Sequence, residues 1–148
     1  YLRSSFSYCF NNFPGYRAIL KLKHLKKKIS FKKNGKSISI KSIAVQHGRI
    51  LSQSFIINKS CAYVSDANKI LPKDLKYFKN LKYLVIDCLR YNPHPSHFNL
   101  SDVIELTKIL NPKKTILTNL NTDMDYNYLS KILPKNIVPG YDGMSFYI

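Results

Sequence analysis

Short apolar runs that each lead into a residue able to bind a metal or move a proton constrain this chain most. Ile43–Ala44–Val45 leads into His47, and Ala62–Tyr63–Val64 leads into Asp66. The run Tyr83–Ile86 ends at Asp87, and His94 and His97 follow on a proline-rich loop. Compact runs of this kind read as strands. A sheet that carries such side chains at its rim presents ligands or catalytic groups from a stiff support.

Turn signals set the order of elements. Asn34–Gly35 separates Lys27–Lys33 from Lys36–Val45 and predicts a two-residue hairpin. Ser37 to Ile43 alternates polar and apolar residues, the pattern of a half-buried strand. Asn58–Lys59–Ser60 predicts a second hairpin between Ser54–Ile57 and Cys61–Val64. Pro72 opens a short helix through Asn80. Asn99, with Asp102 three residues on, caps a helix to Leu110 whose stripe is Val103, Leu106, Ile109 and Leu110, and Pro112 stops it. Thr115–Leu117 is a strand, Tyr126–Leu133 a helix ended by Pro134, and Ser145–Ile148 a last strand. Arg17–Leu22 is expected as a further strand, and Tyr1–Gly15 as loop or as the tail of an element that begins upstream. Strands first, then alternating strands and helices, predict an α/β (α+β) chain with a mixed sheet and helices on one face.

Residues 1–148 contain no repeat, linker or second domain, and their apolar fraction of 45% is that of a globular chain. The first residue is Tyr1 rather than Met, which suggests a fragment or processed product. No apolar run is long enough for a membrane span. Cys9, Cys61 and Cys88 are odd in number and lack CxxC spacing, so they read as free thiols in a reducing, cytoplasmic setting.

The net charge of +16 raises the possibility of a basic nucleic-acid-binding domain. Against it, all the basic residues but Arg3, Arg17, Arg49 and Arg90 are Lys, whereas bidentate base contacts favour Arg. Lys, Asn and Ile are all frequent, and all three have A/T-rich codons, so compositional drift accounts for the bias. The basic residues are also spread along the chain rather than gathered on one element.

His47 reads either as a loop histidine or as a ligand. Asp66 reads as a turn residue or as a carboxylate able to bridge two metals. Asp87 reads as an orienting or capping carboxylate. His94 and His97 lie on loop, and either can serve as a general acid because imidazole titrates near neutrality. His24 lies in a lysine-rich run and reads as solvated.

Six segments in order carry a resemblance: Val45–Gln46–His47–Gly48, Tyr63–Val64–Ser65–Asp66–Ala67, Val85–Ile86–Asp87–Cys88–Leu89–Arg90, Pro93–His94–Pro95–Ser96–His97–Phe98, Ile116–Leu117–Thr118–Asn119 and Gly140–Tyr141–Asp142–Gly143–Met144. Together they resemble the C-terminal half of a metallo-β-lactamase-fold hydrolase, in the phosphoribosyl cyclic phosphate phosphodiesterase branch. The resemblance implies part of an αββα sandwich with two divalent metals, zinc or manganese, at one edge. It implies His47 as a ligand to one metal, Asp66 as the bridging carboxylate, and His97 as a proton donor or phosphate contact. It implies a phosphodiester small molecule as substrate.

Two departures qualify that reading. The family's His-x-His-x-Asp-His string does not occur, since the only histidines are His24, His47, His94 and His97. Where the family has a final ligand histidine after the Thr115–Leu117 strand, this chain offers Asn119 and Asn121. His47 and Asp66 are then the only ligands left, which leaves a metal weakly held. The expectation is a chain inactive by itself and partnered by its missing N-terminal half or by a second copy. The alternatives are a degenerate, non-catalytic interaction module and a nucleic-acid-binding domain.

Overall fold

Asn34 and Gly35 take positive φ, 49° and 74°, as a two-residue hairpin with right-handed strand twist requires. In the computed structural model, which describes residues 1–148, they join β1 (Lys28–Lys33) to β2 (Lys36–His47). β2 pairs antiparallel with β3 (Ile50–Ile57), and β3 with β4 (Cys61–Val64). The β3–β4 turn uses left-handed Asn58 and Lys59. From β4 the pairing becomes parallel, through β5 (Tyr83–Asp87), β6 (Lys114–Thr118) and β7 (Ile137–Pro139). The result is one mixed seven-stranded sheet in strictly sequential order.

Two single-turn helices, α1 (Leu2–Ser5) and α2 (Ser7–Phe10), precede the sheet. A 3₁₀ helix at Pro72–Tyr77 precedes β5, α3 (Leu100–Leu110) links β5 to β6, and α4 (Tyr126–Ile132) links β6 to β7. Parallel strands in sequential order with right-handed crossovers put every crossover on the same face. That face carries Val64, Leu84, Ile86, Leu117 and Ile137, which pack with Phe78, Val103, Leu110 and Leu129 in the core. The Thr107 and Thr115 hydroxyls, 3.1 Å apart, bond α3 to β6 inside it. On the opposite face Phe55, Tyr63, Val85 and Ile116 stand in register across β3 to β6, and Tyr63 is 42% exposed.

Asn99 caps α3 in a reciprocal box with Asp102, as its sequence predicts. Its stop is the left-handed Asn111, one residue before Pro112. Thr107 rather than Ile109 completes the buried stripe, and Ile109 is exposed.

Three expectations fail. Arg17–Leu22 forms no strand, because no strand lies beside it; Ile19 and Leu20 both donate instead to the Cys9 carbonyl. Tyr1–Gly15 contains α1 and α2 rather than loop alone. The last strand is Ile137–Pro139, not Ser145–Ile148. Phe146 packs on Tyr83, with ring centroids 4.4 Å apart, and Lys82 Nζ donates to the Tyr147 carbonyl at 2.9 Å. This segment half-buries its Phe146 ring without joining the ladder. Pro139 suits an edge strand, where the missing N–H costs least.

Cys61 and Cys88 are buried and free. Burial, reinforced by the charges of Asp87 and Asp102, pushes the Cys88 thiol up to about 12. Unfolded Cys88 ionises near pH 9, so its contribution to stability is full below that pH and is lost as pH rises toward about 12. Disulfide-exchange labelling at pH 8 should therefore modify Cys9 in the folded chain, with Cys61 and Cys88 reacting only after unfolding. Replacing Asn99 with Ala should cost about 1 kcal/mol in urea denaturation, and Leu84 with Ala about 2–5 kcal/mol.

Candidate functional site

β2 runs in the same direction as β4, β5 and β6, because two antiparallel pairings separate β2 from β4. All four strands therefore end at one rim of the sheet. His47 ends β2, Asp87 ends β5, and Asp66 lies two residues past β4. Ligands favour this location in parallel sheets, outside the carboxyl ends of the strands.

The rim loops are tied to one another by named bonds. Gly48 takes φ 60°, and a Cβ there would lie a tight 3.1 Å from Ser96 Cβ, so glycine eases the close approach of the His94–His97 loop. The Gly48 N–H donates to Asn68 Oδ1 at 3.0 Å, and Asn68 Nδ2 donates to the Pro95 carbonyl at 3.1 Å. The loop after β4 thus bridges the end of β2 and the loop after β5.

Both site histidines have one nitrogen committed. His47 Nδ1 lies 2.8 Å from the Ser96 carbonyl. A carbonyl only accepts, so Nδ1 carries a proton and Nε2 is left uncommitted. His97 Nδ1 lies 2.6 Å from Asp87 Oδ2, and the same oxygen accepts the Ala67 N–H at 3.1 Å. His97 therefore also presents Nε2. The two rings meet edge to face with centroids 4.7 Å apart. His94 stands 5.1 Å from His97; desolvation, then the charges of Arg90 and His97, lower its pKa.

Asp87 is fully buried, and its Oδ1 has no hydrogen-bond partner. Sequence left this residue between a cap and an orienting group. It orients His97 and anchors the turn after β4 at once. Its position at a strand end was the only signal for that role.

Asp66 takes the left-handed conformation, φ 48°, and its side chain is open to solvent. Its closest side-chain neighbours are Ser65 Oγ at 3.4 Å and Asn119 Nδ2 at 3.5 Å, both long contacts. Asn119 is left-handed as well, φ 60°. Asp and Asn tolerate this conformation as single residues, and it turns the chain after β4 and after β6. Asn121 is not free, since its Oδ1 accepts from the Thr122 N–H at 2.7 Å and the Thr122 hydroxyl at 3.2 Å.

A pair of divalent metals does not fit the donors present. Nowhere do three His, Cys, Asp or Glu side chains converge to hold one ion. Asn119 turns its amide nitrogen, not its oxygen, toward Asp66. The fold gathers His47, His94 and His97 into one cluster at the rim and sets Asp66 beside Asn119. His24 has no part in it, lying exposed in the segment before β1.

A sequence profile of the beta-lactamase superfamily domain matches residues 1–118. Among solved structures the chain is similar to a diphosphatase from the PhnP family, with a TM-score of 0.82 and 23% identity over 97% of this chain and 52% of that one. It is similar to the metallo-beta-lactamase fold protein YhfI from Bacillus subtilis, with a TM-score of 0.68 and 13% identity over 87% of this chain and 56% of that one. It is also similar to human tRNase Z, short form, with a TM-score of 0.60 and 12% identity over 80% of this chain and 44% of that one. The chain spans about half the length of these structures. No curated protein matches it. With a profile match over residues 1–118 and a mixed seven-stranded sheet whose strands deliver His47 and Asp87 to one rim, the chain belongs to the beta-lactamase superfamily domain family.

Proposed function

We propose that this chain carries one part of a phosphodiester-hydrolysing site and is inactive by itself. The observation that supports this most is the pair of tied histidines, His47 on the Ser96 carbonyl and His97 on Asp87, each with Nε2 free at the rim. In this reading His47 and Asp66 are metal ligands, and the remaining donors come from another polypeptide segment. His97 gives a proton to the leaving oxygen of the phosphodiester, or bonds a phosphate oxygen. Asp87 is a positioning residue: its carboxylate holds the imidazole and stabilises its cationic form. The fold is shared with a PhnP-family diphosphatase, which is in keeping with a substrate that carries phosphate.

The partner in this reading is a missing N-terminal half or a second copy of the chain. It covers the half-exposed face that carries Phe55, Tyr63 and Val85. A second reading, a degenerate interaction module, is favoured by Asn121, whose amide oxygen is spent on Thr122.

Three measurements test these readings. Purified chain loaded with zinc or manganese should retain well under one equivalent after gel filtration and should hydrolyse bis(p-nitrophenyl) phosphate no faster than buffer. Two tightly held equivalents per chain would end the proposal. Light scattering should show a dimer or larger species, and a stable monomer at high concentration counts against a second copy as partner. Replacing His97 with Ala strands the buried Asp87 carboxylate on a single N–H and should lower stability by about 3 kcal/mol. His97→Gln, which keeps a donor, should recover much of that loss; equal losses in the two variants would show that the Asp87 bond contributes little.

A further inference from the structure

Lysines scattered through the sequence converge at the other end of the sheet. A cavity of about 490 Å³ is lined by Lys27, Lys28, Lys41, Lys59, Lys76 and Lys79, and no carboxylate lines it. They come from the start of β1, from β2, from the β3–β4 turn and from the segment between β4 and β5. Lys59 precedes β4 and Leu81 precedes β5, so the cavity sits at the amino ends of strands whose carboxyl ends form the candidate site. The five residues of β5 separate the two by roughly 16 Å.

Nothing within the chain neutralises this charge. The only ion pair in the molecule is His97–Asp87, so no lysine has a carboxylate within salt-bridge distance. Lys41 Nζ instead sits 3.2 Å from the centre of the Tyr77 ring, whose electron-rich face stands in for an anion. Asp74, the one acidic residue nearby, lines a neighbouring cavity shared by Lys27, Lys41 and Tyr77. Ammonium groups held around one hollow repel one another, and an anion placed among them removes that repulsion.

We propose that this cavity binds a small anion with several contiguous phosphates, at a site separate from the rim and independent of the function proposed for it. Lysine brings three donors on a flexible stem and suits phosphate oxygens without a fixed geometry. The volume lies within the roughly 300–1,000 Å³ of small-ligand sites. A nucleic-acid strand is disfavoured because strand binders offer free aromatic faces for base stacking. Here the single aromatic ring, Tyr77, is covered by Lys41, and the remaining apolar wall is Ile40, Ile56 and Leu81.

Calorimetric titration of the full chain with ATP, tripolyphosphate and a short single-stranded RNA, at about 50 and about 300 mM NaCl, tests the site. One equivalent of ATP or tripolyphosphate should bind, at least about tenfold more weakly at the higher salt. Tighter ATP identifies a nucleotide ligand and tighter tripolyphosphate an inorganic one; either supports the site. The variant K59E/K79E should lose about tenfold or more, while K131E/K135E, with the same change in net charge away from the cavity, should stay within about threefold. Equal losses in both variants, RNA bound more tightly than either small anion, or no binding at low salt would overturn the proposal. Should K59E/K79E not fold, acetylation of the unaltered chain decides: tripolyphosphate should protect Lys59 and Lys79 relative to Lys131 and Lys135, and uniform labelling would refute the site.

Discussion

The buried Asp87 carboxylate holds the rim of this molecule together. One oxygen binds His97 from the loop after β5 and the Ala67 N–H from the loop after β4. Both bonds are charge-assisted, and both lie where water is excluded from the carboxylate. The strong preference of a buried anion for its donors fixes the His97 ring and the turn that aims Asp66. Gly48 and Asn68 then lock the end of β2 onto the same loops, which brings His47 against His97. Asp87 thus ties two loops directly, those after β4 and β5.

That rim is closely tied, yet no three His, Cys, Asp or Glu side chains converge there on one ion. The histidines each leave Nε2 uncommitted, the backbone is left-handed at Asp66 and Asn119, and the sheet beneath is well packed. Shape and chemistry separate here because they depend on different residues. The loops are held by Asp87, Asn68 and Gly48, whereas metal affinity depends on the number of converging ligands. A fold in this family can keep the first while the second is incomplete on the chain in hand.

Much of the fold was readable from local chemistry. Asn34–Gly35 fixed one hairpin, Asn58–Lys59 the next, and Asn99 with Asp102 the start of α3, because each depends on a few neighbouring residues. Arg17–Leu22 misled because an apolar run becomes a strand only when another strand lies beside it. β7 went unseen because Ile137–Pro139 is too short to show a period, and it exists through its parallel pairing with β6. The sequence left Asp87 between an orienting and a capping carboxylate; its partners could not be read, since His97 and Ala67 meet it only through the fold.

The sequence by itself determined the two hairpins at Asn34–Gly35 and Asn58–Lys59, the capped start of α3, that His47, Asp66 and Asp87 fall at or just past strand ends, and that the chain has four histidines. These are matters of local conformational preference and of counting. Only the tertiary structure decided that His97 leans on Asp87, that Asn119 reaches toward Asp66 with its nitrogen, and that six lysines spread over residues 27–79 surround one cavity. Chain topology sets those meetings, because strand pairing and crossovers bring together groups that no local preference relates.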